Sequence, residues 1–195
     1  DILLVSFGSM GTRGKVESTF DFYNLFEKDK SFDKLFLRDM SKSYYLLGLQ
    51  NTTKDLNETI YLIKKLSSKK KYNKIISVGS SSGGFASILF GHLLNFSKAI
   101  AFNPQTVITE EKDSIINDKI YSVDISKKLT NLNLSDPFYQ RCLNLKNFIP
   151  FNTKAEIHYS AFSKIDTNYA KFIDHENCKL IKHSSSSHLL ALELR

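Results

Sequence analysis

Lys74-Ile75-Ile76-Ser77-Val78-Gly79-Ser80-Ser81-Ser82-Gly83-Gly84-Phe85-Ala86-Ser87-Ile88-Leu89-Phe90 reads as an apolar strand, a sharp turn and a helix that opens on small residues. Within it, Gly79-Ser80-Ser81-Ser82-Gly83 is a Gly-x-Ser-x-Gly match. Such a match is common by chance, but between a buried strand and a helix start it has a mechanical meaning. The turn must be tight enough to lift one hydroxyl above the end of a sheet. Glycines on either side let strand and helix approach closely, because neither has a side chain to clash. Ser81, the middle residue, is the candidate nucleophile; an ordinary turn serine is the alternative.

Around this stretch, short apolar runs at Ile2 to Phe7, Lys34 to Leu37, Ile75 to Val78, Ala99 to Phe102, Ala155 to Tyr159 and Lys179 to Ile181 read as six strands. Most are continuous rather than alternating, as in strands covered on both faces of a parallel sheet. Helical patterns separate them: Ser18 to Phe26, a stripe of Leu56, Ile60, Ile63 and Leu66 flanked by Tyr61 and Leu62, Gly83 to Asn95, Pro137 to Leu145, Asn168 to Asp174 and His188 to Leu194. The alternation predicts an α/β fold with a mainly parallel sheet flanked by helices. Residues 1–195 read as one domain, with the 106–150 region, least periodic between Glu110 and Asp136, as an irregular or lid-like excursion. The chain starts without Met and inside a strand, as a piece of a longer protein would.

Composition narrows the function classes. Hydrophobic residues make up 42% and charged residues 24% of the 195 positions, an ordinary soluble balance, and no apolar run reaches the ~20 residues of a membrane span. The first residues, Asp1 to Phe7, read as a strand and lack the basic start and cleavage site expected of a signal peptide. The two cysteines, Cys142 and Cys178, sit in no metal-ligand or redox pattern, so they read as reduced, buried thiols of a cytoplasmic protein. The net charge of +7 and runs such as Lys69-Lys70-Lys71 and Lys127-Lys128 suit an acidic or phosphorylated partner, or simply a solvated surface. Basic residues are not interleaved with aromatics, which argues against nucleic acid, and no His/Asp/Glu spacing suggests a metal.

In a parallel sheet the chemistry lies beyond the carboxyl ends of the strands. A serine hydroxyl needs a base, and the base needs an acid to hold its tautomer, in the chain order serine, acid, histidine. His188 follows the last strand, with His183, His158, His175 and His92 as competitors. Asp166 follows the preceding strand, with Asp174 and Glu156 as competitors. The negative charge of a tetrahedral intermediate calls for N–H donors, expected from Ser82 and from Gly8 or Ser9 after the first strand. Arg38, Tyr45 and Gln105 are candidate substrate-binding residues, with an Arg38–Asp39 structural pair as the plain alternative for the first.

The succession Val5-Ser6-Phe7-Gly8, Phe36-Leu37-Arg38-Asp39 with Tyr44-Tyr45 and Gly48-Leu49, then VGSSSGGFASILFG, then Ala101-Phe102-Asn103-Pro104-Gln105, resembles the α/β-hydrolase-like proteins of bacterial capsule and surface-polysaccharide loci. The segments around Asp166 and Ser187-His188-Leu189 are similar to the acid and base segments of that group. The resemblance implies a three-layer α/β-hydrolase-like sandwich and a Ser81-His188-Asp166 triad. It also implies an esterase or O-acetyltransferase acting on acylated sugars. A hydrolase would need no cofactor and a transferase would use acetyl-CoA as acyl donor. This chain departs from the group in carrying Ser82 where a bulky residue is usual, and Ser184 to Ser187 where glycines precede the histidine. The alternative expectation is a non-catalytic partner domain of a polysaccharide-assembly protein; oligomeric state is not legible.

Overall fold

The computed structural model describes residues 1–11, 20–109, 112–118 and 135–194. Among them, six strands form one all-parallel sheet: β1 Ile2–Phe7, β2 Asp33–Leu37, β3 Lys74–Ser80, β4 Lys98–Phe102, β5 Lys154–Ser160 and β6 Cys178–His183, in the order β2-β1-β3-β4-β5-β6. The helices are α1 Tyr23–Phe26, α2 Leu56–Ser67, α3 Ser82–Leu93, α4 Lys112–Ile116, α5 Pro137–Cys142, α6 Lys164–Phe172 and α7 Leu190–Glu193, with a 3₁₀ turn at Leu145–Phe148. The expected helix at Ser18 to Phe26 begins later, at Tyr23, and residues 12–19 lie outside the described part. Likewise Lys127-Lys128 and much of the expected lid-like excursion lie outside it.

Strand alternation sends Leu3, Val5 and Phe7 of β1, Ala99 and Ala101 of β4, and Ala155, Ile157 and Tyr159 of β5 into one large core. This core is closed by α2, α3 and α6 through residues such as Leu56, Ile63, Phe85, Leu89 and Ala170. Leu4, Val78, Ile76, Ile100 and Phe102 face the other way, under Phe22 and Phe26 and beside Ala191 of α7. Both faces are therefore covered, which is why the strands read as continuous apolar runs.

Local chemistry sets the helix bounds. The Asp55 carboxylate accepts the Glu58 N–H at 2.8 Å and caps α2. Along α2 the stripe is narrower than expected, for Leu56, Thr59 and Ile63 are buried while Tyr61 is 67% exposed. In contrast, α3 is buried along nearly its whole length and packs on β1, β3 and β4. Small residues permit that approach: the Ser77 hydroxyl on β3 donates to Ser87 O on α3 at 2.8 Å.

The strand order reverses around β1 and β3, whose following segments, α1 and α3, pack on opposite faces of the sheet. Such a reversal point, beyond Phe7 and Ser80, is where open parallel sheets place their ligands.

Candidate active site

β3 ends at Ser80 and α3 begins at Ser82, so one residue makes the whole turn. Ser81 adopts φ 54 and ψ −118, a strained conformation for a residue with a Cβ. Its surroundings hold it there. The Ser81 N–H donates to Phe102 O at 2.9 Å, and Ser81 O accepts the Phe85 N–H at 3.0 Å. A Cβ added at Gly79 would lie 2.0 Å from Gly83 O, and one at Gly83 would lie 2.2 Å from Phe7 O. Glycine is required at both places because backbone, not a movable side chain, fills the space.

Asp166 was expected in the loop after β5, but it lies in the first turn of α6. The reason is Ser163, which caps the helix with its hydroxyl accepting the Asp166 N–H at 3.3 Å. The Asp166 carboxyl is 2% exposed, and its Oδ1 lies 2.7 Å from His188 Nδ1. His188 Nε2 in turn lies 2.9 Å from Ser81 Oγ. With a carboxylate at Nδ1 and a hydroxyl at Nε2, the complementary assignment is Nδ1–H donating to Asp166 and Nε2 accepting from Ser81. The loop before His188 is shaped by its own serines. Ser185 Oγ accepts the Ser187 N–H at 2.9 Å, and Ser187 Oγ accepts the Leu189 N–H at 3.1 Å.

The competing residues are placed elsewhere. His158 and His183 bond each other at 2.9 Å on the sheet, where Glu156 accepts from His158 at 3.1 Å. Burial holds the His158 imidazole below its ordinary range. Glu156 is driven up by burial, but Lys98 and His158 outweigh this and keep its carboxyl low. His92 accepts the Asn152 N–H, and His175 bonds Asn177.

Of the expected oxyanion donors, Ser82 heads α3, where N–H groups have no preceding helical turn to bond. Gly8 N–H instead donates to Leu37 O at 2.8 Å, prolonging the ladder between β1 and β2. The Ser9 N–H donates to the Asp21 carboxylate at 2.9 Å, and the Met10 N–H to Ser82 Oγ at 3.1 Å. Asp21 has no signal in the sequence, since it acts through a contact with the loop after β1.

Tyr45 is completely buried, and its hydroxyl is shared between Gly8 O at 2.9 Å and Leu37 O at 3.1 Å. It is a strut beneath the loop rather than a pocket wall. Gln105 is 3% exposed and accepts from the Tyr44 hydroxyl at 2.5 Å. The Arg38 guanidinium stacks 4.7 Å over the Phe20 ring. Asp39 accepts the Ser43 and Tyr45 N–H groups at 2.6 and 2.9 Å, which organises the turn that carries both tyrosines. Among the described residues, no group of His, Cys, Asp or Glu is arranged to hold a metal ion. Nor is any helix among them long and apolar enough to cross a membrane.

No family model matches the chain, and no curated protein matches it in sequence. Solved structures do match its fold. Capsule O-acetyltransferase of Neisseria meningitidis serogroup A is similar at TM-score 0.68 and 18% identity, over 96% of this chain and 80% of that one. FphF, a fluorophosphonate-binding serine hydrolase of Staphylococcus aureus, is similar at 0.62 and 14%, over 99% and 79%. An S-formylglutathione hydrolase from Agrobacterium tumefaciens follows at 0.57 and 12%, over 97% and 78%. The fold is therefore α/β-hydrolase-like.

Proposed function

We propose that this chain is a serine-dependent acyl-ester enzyme. The observation that carries the reading is the continuous line from Ser81 Oγ through His188 to the buried Asp166 carboxylate, at 2.9 and 2.7 Å. In this reading Ser81 Oγ attacks an acyl carbonyl while His188 Nε2 takes its proton. Asp166 keeps the imidazole in the receptive tautomer and stabilises the imidazolium. The oxyanion is met by the Ser82 N–H at the head of α3; the Ser9 N–H beside it is bonded to the Asp21 carboxylate, and the Gly8 N–H stays in the sheet. His188 then returns the proton to the leaving group, and an acyl-serine remains. A second nucleophile, deprotonated by the same histidine, takes the acyl group and releases Ser81.

Water as that nucleophile makes an esterase, and a sugar hydroxyl makes an O-acetyltransferase fed by acetyl-CoA. The transferase form draws support from the capsule O-acetyltransferase, one structure of which is a complex with CoA. The net charge of +7 suits a donor with phosphates. On this reading the acceptor is a sugar of a bacterial surface polysaccharide. The test is to form the acyl-enzyme from acetyl-CoA and compare its discharge by sugar acceptors and by water. Faster discharge by sugars supports transfer, and equal rates contradict it.

A further inference from the structure

Asn103 follows β4 directly, is 1% exposed and sits at φ 42, a left-handed conformation that asparagine tolerates better than most residues. Its N–H continues the sheet by donating to His158 O at 2.8 Å, while the carbonyl of the preceding Phe102 accepts the Ser81 N–H. The residue is thus tied by backbone to both β5 and the nucleophile turn.

Its side chain reaches a third place. Oδ1 accepts the Ser160 N–H at 2.9 Å, and Nδ2 lies 3.0 Å from Ser160 Oγ, 3.0 Å from Ser187 O and 3.1 Å from His188 O. The Ser160 hydroxyl donates to the same Ser187 carbonyl at 2.6 Å. Only one orientation of the amide fits, since a flipped one would set N–H against N–H and oxygen against two carbonyls. His188 itself belongs to no strand or helix, lying between β6 and α7. Its main chain is gripped by one amide rooted in the rim of the sheet.

We propose that Asn103 is the positioning residue that sets the base: it fixes the Ser187–His188 main chain so that the imidazole spans Ser81 and Asp166. This rests on the triad reading above. Misplacement of a reacting group by about 1 Å costs on the order of 10² in rate. Asn103→Asp is the informative change, because it keeps the size and the Oδ1 acceptor but turns a carboxylate oxygen toward the carbonyls of Ser187 and His188. Asn103→Gly removes the amide while accommodating the positive φ, and it decides by the same criteria should the first variant not fold.

Three readouts on the full chain test the proposal: kcat and KM on a chromogenic aryl acetate, fluorophosphonate labelling of Ser81, and the downfield proton resonance of the His188 Nδ1–H bond to Asp166. The expected result is a kcat loss of about 10²-fold, KM within about 2-fold, slower labelling, and a lost or displaced resonance. If Ser81 is labelled in the parent but kcat or the resonance is unchanged in the variant, the role of Asn103 is overturned and the triad stands. If the parent is not labelled at Ser81, the triad reading falls and the proposal with it.

Discussion

Ser81 and His188 lie 107 positions apart in the chain, yet His188 Nε2 stands 2.9 Å from Ser81 Oγ. The parallel sheet accounts for this meeting. The loops after β3 and β6 emerge at the same rim, and Asp166 reaches the same point from the start of α6 after β5.

Asp166→Asn tests the tautomer argument. An amide at this position can donate to Nδ1, which turns the Nε2 lone pair into an N–H and leaves Ser81 without a base. The expected loss in kcat is about 10⁴-fold with KM little changed, measured on an aryl acetate. A loss below about 10-fold would contradict the role of Asp166.

Gly83→Ala tests the packing of the nucleophile turn. The added Cβ would meet Phe7 O at 2.2 Å, and a backbone carbonyl within the sheet cannot step aside. Destabilisation of about 3 kcal/mol or failure to fold is expected, read from the urea midpoint. An unchanged midpoint would show that the turn has room it is not expected to have.

Much of this architecture was legible in the chain, since strands covered on both faces leave continuous apolar runs. Each of the six runs fell within one or two residues of the observed strand at either end. The place of Ser81 at the tip of the turn is legible because the glycines on both sides let strand and helix close on it. Less legible was what depends on contacts between loops distant in sequence. Tyr45 looked like a pocket residue because it follows a strand, yet burial and two carbonyl partners make it a strut. The Ser9 N–H looked free because nothing in the sequence places the Asp21 carboxylate on it. Asp166 looked like a loop residue because the Ser163 cap starts α6 earlier than its apolar stripe suggests.

The thiols provide a check on the core. Burial pushes both Cys142 and Cys178 up to about 12, and both are buried free cysteines. Neither should react with a colorimetric disulfide reagent at about pH 8 until denaturant is added, when both should. Immediate reaction of either in the native protein would contradict its placement.

Stability should fall as pH drops from about 7 to about 5. Burial holds His158 and His92 below the ordinary 6.5, so the unfolded chain takes up protons in this window that the folded chain does not. Their contribution is complete above 6.5 and is lost as pH falls through the lowered folded values. Glu156, held below its ordinary 4.5, loses its contribution only at lower pH. His158→Gln should flatten the melting-temperature profile between about pH 7 and 5. An equally steep profile would remove His158 as a cause.

Labelling by a fluorophosphonate probe decides whether Ser81 is the nucleophile. The parent chain and Ser80→Ala should be labelled, while Ser81→Ala and His188→Ala should not. Labelling that survives in Ser81→Ala, or a parent that takes no label, would contradict that role.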